Sequence, residues 1–279
     1  MVNNMKQRNK IVVFLLLSLV MKLDIGYAFE MYIHTGYTNE PSFKEYGFKD
    51  SIIIYEQNIY DNNEYRGSIT SQHINKIVSV VKKGSSNIVI LDIEYWLRGW
   101  RRKSYFEKYR IINRYVKTMT DLHTKLPGVK LGYYGVIPVW SHWDIIDSDK
   151  IFEKWQIEND LRIPIADAVD IIYPNLYTYS SDPEKWRLRS IQAINKAREI
   201  SNGKKIIVFL WPEYHQSSKE YKKGGRALPS SYWRYQLEFV RKNADGVVIW
   251  NGAFGNKGDW NEDMPWWVET KKFIRKYFK

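Results

Sequence analysis

The chain of 279 residues contains no cysteine. Disulfides, thiol nucleophiles and cysteine-ligated metal sites are therefore excluded, and stability must rest on the core, which roughly 250 residues can supply. The five histidines (His34, His73, His123, His142, His215) are scattered, without HExxH or any paired spacing, so no metal site is expected. There is no N-x-Ser/Thr sequon, which removes the signal for N-glycosylation. No Gly-rich phosphate turn follows the first strand-like run, and no Ser–His–Asp arrangement is visible, so neither a dinucleotide cofactor nor acyl-transfer chemistry is indicated. Low-complexity linkers and internal repeats are also missing, which favours one domain.

Positive charge and aromatic residues are abundant. The formal charge is +12, with 12 Trp and 21 Tyr. Residues 1–28 read as a signal peptide: a basic start (Lys6, Arg8, Lys10), a short apolar run Ile11–Met21, and small residues Gly26 and Ala28 suited to cleavage after Ala28. The apolar run is short for a membrane span, so stable insertion is not expected and secretion is. Lys6, Arg8, Lys10 and Lys22 against Asp24 give that segment +3, which leaves +9 for residues 29–279. Such a surface favours a polyanion, and aromatic rings add stacking platforms for sugars or single-stranded nucleic acid. No nucleic-acid recognition motif accompanies the charge, so a glycan is the expected partner. A large aromatic core under a solvated basic face accounts for the same composition.

Ile88–Trp96 (IVILDIEYW) is the most informative stretch. It is an apolar run ending in Asp92 and Glu94. Residues two apart in a strand share a face, so both carboxylates project together from a buried strand end. Burying charge there is costly unless it is used or paired. A helix cap plus a solvated acid is the bland alternative. Two carboxylates so close repel when both are ionised, so one of them should titrate high.

Similar apolar runs recur at Phe29–His34, Ser51–Tyr55, Asn87–Glu94, Lys130–Tyr134, Asp170–Tyr173, Lys205–Leu210 and Gly246–Trp250. Helical patterns fall at about 71–83, 103–125, 148–158, 183–200, 230–242 and 265–278. This alternation implies right-handed βαβ units and a parallel sheet, an α/β fold. Seven strands fit a distorted TIM-like (β/α) barrel over residues 29–279, with a doubly wound open sheet as the alternative. In a barrel the chemistry lies at the C-terminal strand ends. Those positions hold His34, Glu56, Asp92, Glu94, Tyr134, Tyr177, Trp211, Glu213, Trp250 and Asn251. Acids, tyrosines and tryptophans suit a glycoside hydrolase.

Several segments resemble, in order, motifs of the hyaluronidase family of glycoside hydrolases. PSFKEYGF (Pro41–Phe48) resembles its P-x-F-x-x-x-YG, with tighter spacing. LDIEYW resembles D-x-E-x-W, and LGYYGVIP (Leu131–Pro138) resembles GYYG-x-P. IIYPNLY (Ile171–Tyr177) and ADGVVIWNG (Ala244–Gly252) resemble the family's LYPS-x-Y and closing A-x-G-x-VIWG. The resemblance implies a distorted barrel with fewer than eight strands. It implies endo-β-N-acetylhexosaminidase activity on hyaluronan or chondroitin at β-1,4 bonds, retaining configuration through the substrate's own 2-acetamido oxygen. Carried over, Glu94 matches the proton donor and Asp92 the acid that orients the acetamido group. Tyr134, Tyr177 and Trp250 match aromatics of the cleavage subsite. The chain departs from the family in lacking cysteine, in Leu97-Arg98-Gly99 after the motif tryptophan, and in Trp211-Pro212-Glu213-Tyr214 after the sixth strand.

Trp96, Arg98, Trp211 and Glu213 are expected substrate contacts beside that set. Arg98, Arg101, Arg102 and Lys103 could hold uronate carboxylates, or be a solvated helix start. No cofactor is expected, and the protein is expected to be a monomer. A two-carboxylate mechanism pairing Glu94 with Glu213, or less favourably Glu56, remains open. So do a chitinase-like hydrolase of another N-acetylhexosamine polymer and a non-catalytic glycan-binding barrel.

Overall fold

A computed structural model describes residues 28–61, 67–139, 144–223, 226–252 and 257–278. The leader read at residues 1–28 lies, except for Ala28, outside the described residues. The strands are β1 (Glu30–Thr35), β2 (Ile52–Tyr55), β3 (Ile88–Asp92), β4 (Lys130–Tyr133), β5 (Ile171–Ile172), β6 (Lys205–Leu210) and β7 (Gly246–Asn251). The helices are α1 (Glu56–Ile59), α2 (Ser71–Lys83), α3 (Tyr105–Lys125), α4 (Asp144–Asp147), α5 (Asp149–Asp160), α6 (Ile163–Ala168), α7 (Pro183–Ile200), α8 (Lys219–Lys222), α9 (Ser230–Asn243) and α10 (Pro265–Tyr277). Side chains fix the main helix starts. Ser104 and Glu107 form a reciprocal capping box on α3. Asp182 accepts from the Glu184 and Lys185 amides, with Pro183 as the first residue of α7.

The expected seven parallel strands are present, but they form two sheets rather than one continuous ladder. One has the order β1-β7-β6-β5 and the other β2-β3-β4. Single parallel bridges, Tyr32 with Lys49 and Tyr134 with Tyr173, tie the sheet edges to each other. β5 is a ladder of only two residues, interrupted where Pro174, which has no N–H to donate, follows Tyr173; beyond it a single bridge joins Asn175 to Phe209.

Side-chain alternation along the strands sorts two cores. In β6, Ile206, Val208 and Leu210 pack toward the helices, in a core shared with Trp186, Trp233 and Trp267. Ile207 and Phe209 point the other way, to a second cluster with Tyr32, Ile90, Ile171, Tyr173 and Val248. Gly132 is required there. A Cβ on it would lie 2.6 Å from the Tyr173 ring and 2.4 Å from the Ile171 carbonyl oxygen. The second cluster is the floor on which the site stands. No helix among the described residues is long and apolar enough to cross a membrane.

Candidate active site

β3 ends at Asp92, and a single 3-10 turn, Tyr95–Leu97, follows Glu94. The Tyr115 hydroxyl of α3 donates to the Ile93 carbonyl at 2.6 Å and pins the link between the two acids. Register pairs Tyr55 of β2 with Asp92, which brings Glu56, the next residue, to the same sector. The Glu56 carboxylate accepts the Tyr95 N–H at 2.8 Å. Glu56, Asp92 and Glu94 all line one cavity of about 760 Å³.

Neither Asp92 nor Glu94 has a salt-bridge partner among the described residues. Glu94 opens to the cavity, whereas Asp92 is half-buried behind it. Burial, then the charges of Glu94 and Glu56, push Asp92 up to about 8. Burial and Glu56 also raise Glu94, against the lowering effect of Arg98. Both acids therefore titrate high, where one was expected to. At neutral pH the pair holds a proton that a carboxylate in water would have lost.

Aromatic residues form the rest of the cavity. Tyr177 stacks on Trp250, with ring centroids 5.8 Å apart, and meets Trp211 edge-on at 5.4 Å. Tyr134 lies 5.9 Å from Tyr177. Asn175 Nδ2 donates to the Tyr134 hydroxyl at 2.7 Å, while its Oδ1 accepts the Tyr177 N–H at 2.8 Å. Buried Arg189 of α7 donates to the Tyr177 carbonyl at 2.8 Å. Trp250 Nε1 donates to the Tyr55 hydroxyl at 3.0 Å and so joins the aromatic group to the acidic one. The buried Trp211 Nε1 has no partner among the described residues.

Asp92, Glu94, Tyr134, Tyr177, Trp250, Arg98 and Trp211 thus line a single cavity. Trp96 and Glu213 are not among the residues that line it. The 3-10 turn rotates Trp96 away from the strand-end face, and its ring packs 4.8 Å from Tyr115 in the helix-side core. Glu213 is paired with Lys257, which also donates to Asn251 Oδ1 at 2.6 Å. Asn251 is buried in that network. His34 lies outside the lining too, bonded to Ser51 Oγ at 2.8 Å. Arg101 and Arg102 line the cavity; Lys103 does not.

Sequence reading missed Tyr55, Asn175 and Arg162 as cavity residues. Tyr55 and Asn175 were legible in principle, one by register against Asp92 and one inside the IIYPNLY motif. Arg162 carried no local signal. It is buried just before α6, donates to the Val136 carbonyl at 2.7 Å, and lies 4.2 Å over the Trp100 ring. Among the described residues no group of His, Asp or Glu is arranged to hold a metal ion.

No family model matches the chain, and no curated protein matches it in sequence. Solved structures of similar fold do exist. Bee venom hyaluronidase in complex with a hyaluronic acid tetramer superposes with a TM-score of 0.56 at 14% identity, covering 89% of this chain and 95% of that one. A monoclinic crystal form of the same venom enzyme gives a TM-score of 0.58 at 13% identity, over 89% and 96%. The motif resemblance and the structural comparison thus point to the same fold.

Proposed function

We propose that the chain is a glycoside hydrolase that cleaves β-1,4 bonds after N-acetylhexosamine inside a polysaccharide such as hyaluronan or chondroitin. The two sheets, bridged at their edges, are read as one distorted barrel with its site at the C-terminal strand ends. One observation carries the reading. The acids of the strand ends that reach the cavity come from adjacent β2 and β3, while β6 and β7 present indoles and the turn after β5 presents Tyr177. Glu213, the carboxylate expected from another strand end, is spent on Lys257 outside the cavity. Glu56 is committed to the Tyr95 amide. Glu158 of α5, the remaining acid of the lining, is buried and faces Lys108 at 3.6 Å, so the nucleophile is best supplied by the substrate.

Glu94, open to the cavity and raised by burial, gives its proton to the glycosidic oxygen as the C1–O bond breaks. The 2-acetamido oxygen of the same sugar bonds to C1 from the opposite face. In the productive complex the proton of the pair sits on Glu94, and Asp92, ionised there because the acetamido N–H and the developing positive charge favour its charged form, accepts that N–H and stabilises the charge that spreads over the ring so formed. Tyr177 and Trp250 wall off this group from water. Water then attacks C1, loses a proton to Glu94, and restores the acetamido group with retained configuration. Arg98, Arg101 and Arg102 suit an acidic polymer, and the leader read at residues 1–28 suits export to where such polymers occur.

Fragment release from hyaluronan, chondroitin and chitin oligomers, with Glu94→Gln beside wild type, tests this. A loss of about a hundred- to ten-thousand-fold in turnover is expected for the variant. Equal release by both proteins removes Glu94 as the acid. Release from chitin oligomers alone moves the substrate to a neutral polymer.

A further inference from the structure

The first two turns of α3 carry an aromatic face that the fold does not use. Tyr105, Phe106 and Tyr109 are 72%, 68% and 57% exposed. The residues of α3 that pack inward are Ile111, Ile112, Tyr115, Thr118, Met119 and Leu122, so none of the three rings contributes to the core. Large aromatics at such exposure, grouped within one stretch of helix, mark an interaction surface more often than a structural one. Their place is specific. Arg102 lines the cavity and Ser104 caps α3, so Tyr105 follows the cavity rim by three residues, at most roughly 10 Å of chain. Tyr105 and Tyr109 stand at i and i+4, about 5–6 Å apart at Cβ, on the scale of one sugar ring.

The surface is also basic. Arg101, Arg102 and Arg110 flank the rings in sequence and are exposed, and the Arg110 guanidinium lies 5.9 Å over Phe106. Cations at the start of a helix oppose its dipole, so they are not there to stabilise α3. Glu107 is the single acid in that turn and is taken by the Ser104 cap.

We propose that Tyr105, Phe106 and Tyr109, with Arg101, Arg102 and Arg110, form a docking strip for an acidic polysaccharide chain as it leaves the cleft. The rings stack on sugar faces, and the guanidinium groups pair with carboxylate or sulfate groups. The proposal rests on the glycosidase reading for the identity of the chain, but it concerns surface outside the cleavage site. Its consequence is a preference for long polymer over short oligomer. Two tyrosine hydroxyls and a start only three residues from a cavity-lining arginine favour a glycan over a lipid surface.

The test compares wild type with Y105A/F106A/Y109A, whose substitutions lie on exposed helix and favour helix formation. On high-mass hyaluronan the variant should lose roughly tenfold in kcat/KM, while a hexasaccharide is cleaved within about twofold of wild type. A parallel arm measures retardation in gels cast with hyaluronan at graded salt, which needs no turnover. If wild type cleaves nothing yet is retarded and the variant is not, the strip stands and the glycosidase reading fails. If wild type cleaves both substrates and the variant keeps the same polymer-to-hexasaccharide ratio, the strip is overturned. Ring-dependent sedimentation with phosphatidylserine vesicles, without ring-dependent retardation by hyaluronan, overturns it in favour of a membrane surface.

Discussion

Glu30 and Asp92 stand at opposite ends of their strands, and both are withdrawn from water. Glu30 opens β1, accepts from Lys49 at 2.8 Å and Lys205 at 2.9 Å, and takes the Tyr32 hydroxyl at 2.8 Å. Burial pushes its carboxyl up, but those three donors outweigh it and hold the group below its ordinary range. Asp92 closes β3 with no lysine or arginine salt bridge among the described residues, and its charged neighbours are two more acids. The same residue chemistry is compensated at one end of the molecule and left uncompensated at the other. A buried acid without compensation lowers stability, and such acids concentrate where chemistry is done.

Replacing Asp92 by Asn makes the largest break in that comparison. Activity should fall by about a hundredfold or more, while the protein becomes more stable. The sign comes from the direction of the shift. The folded state holds the Asp92 proton to about 8, against 3.8 for the free side chain, so wild type loses stability as pH rises between those values. Asn removes the loss. Melting curves at pH 4 and pH 8 should show a small difference at pH 4 and a clear gain for the variant at pH 8, about 2–4 °C for each kcal/mol recovered. A variant that melts lower than wild type at pH 8 would contradict the uncompensated reading.

Glu56→Gln sharpens the same point with a smaller effect. The glutamine oxygen can still accept the Tyr95 N–H, so the geometry behind Glu94 is kept. The substitution deletes a negative charge that raises both Asp92 and Glu94. Both should then titrate lower, and the alkaline limb of the pH–rate profile should move to lower pH. An unmoved limb with normal turnover would show that burial alone sets these acids.

The parts of the molecule legible in the sequence are those whose signal is local. Periodicity places α2 at 71–83 and α7 at 183–200, and the structure keeps both. Short helices such as α1 and α6 carry too few turns for a period to show. Asp92 and Glu94 are readable because alternation within one strand fixes their face. The same logic misplaces Trp96, since the strand stops at Asp92 and a 3-10 turn redirects the residues after Glu94. Glu213 pairs with Lys257 across 44 positions, and no window on the sequence contains that contact. Tyr55 reaches the site through strand register, which a single chain does not print.

Glu30→Gln is the control from the other end, and the smallest expected effect. The variant keeps the size of the side chain and one acceptor oxygen, but gives up the charge that holds Lys49 and Lys205. Lys49 is half-exposed, so part of that pairing is screened by water, and a loss of about 1–2 kcal/mol is expected. Because the folded-state acidity of Glu30 is strengthened, its stabilisation is present above the unfolded value near 4.5 and disappears as pH falls through the folded one. The gap between variant and wild type should therefore be full at pH 7 and shrink in acid, the reverse of Asp92→Asn. Turnover per folded molecule and the pH–rate profile should not move, since the strand separates Glu30 from the cavity. A changed profile would mean that the two ends are electrostatically coupled through the interior between the sheets, and the contrast between them would no longer identify the site.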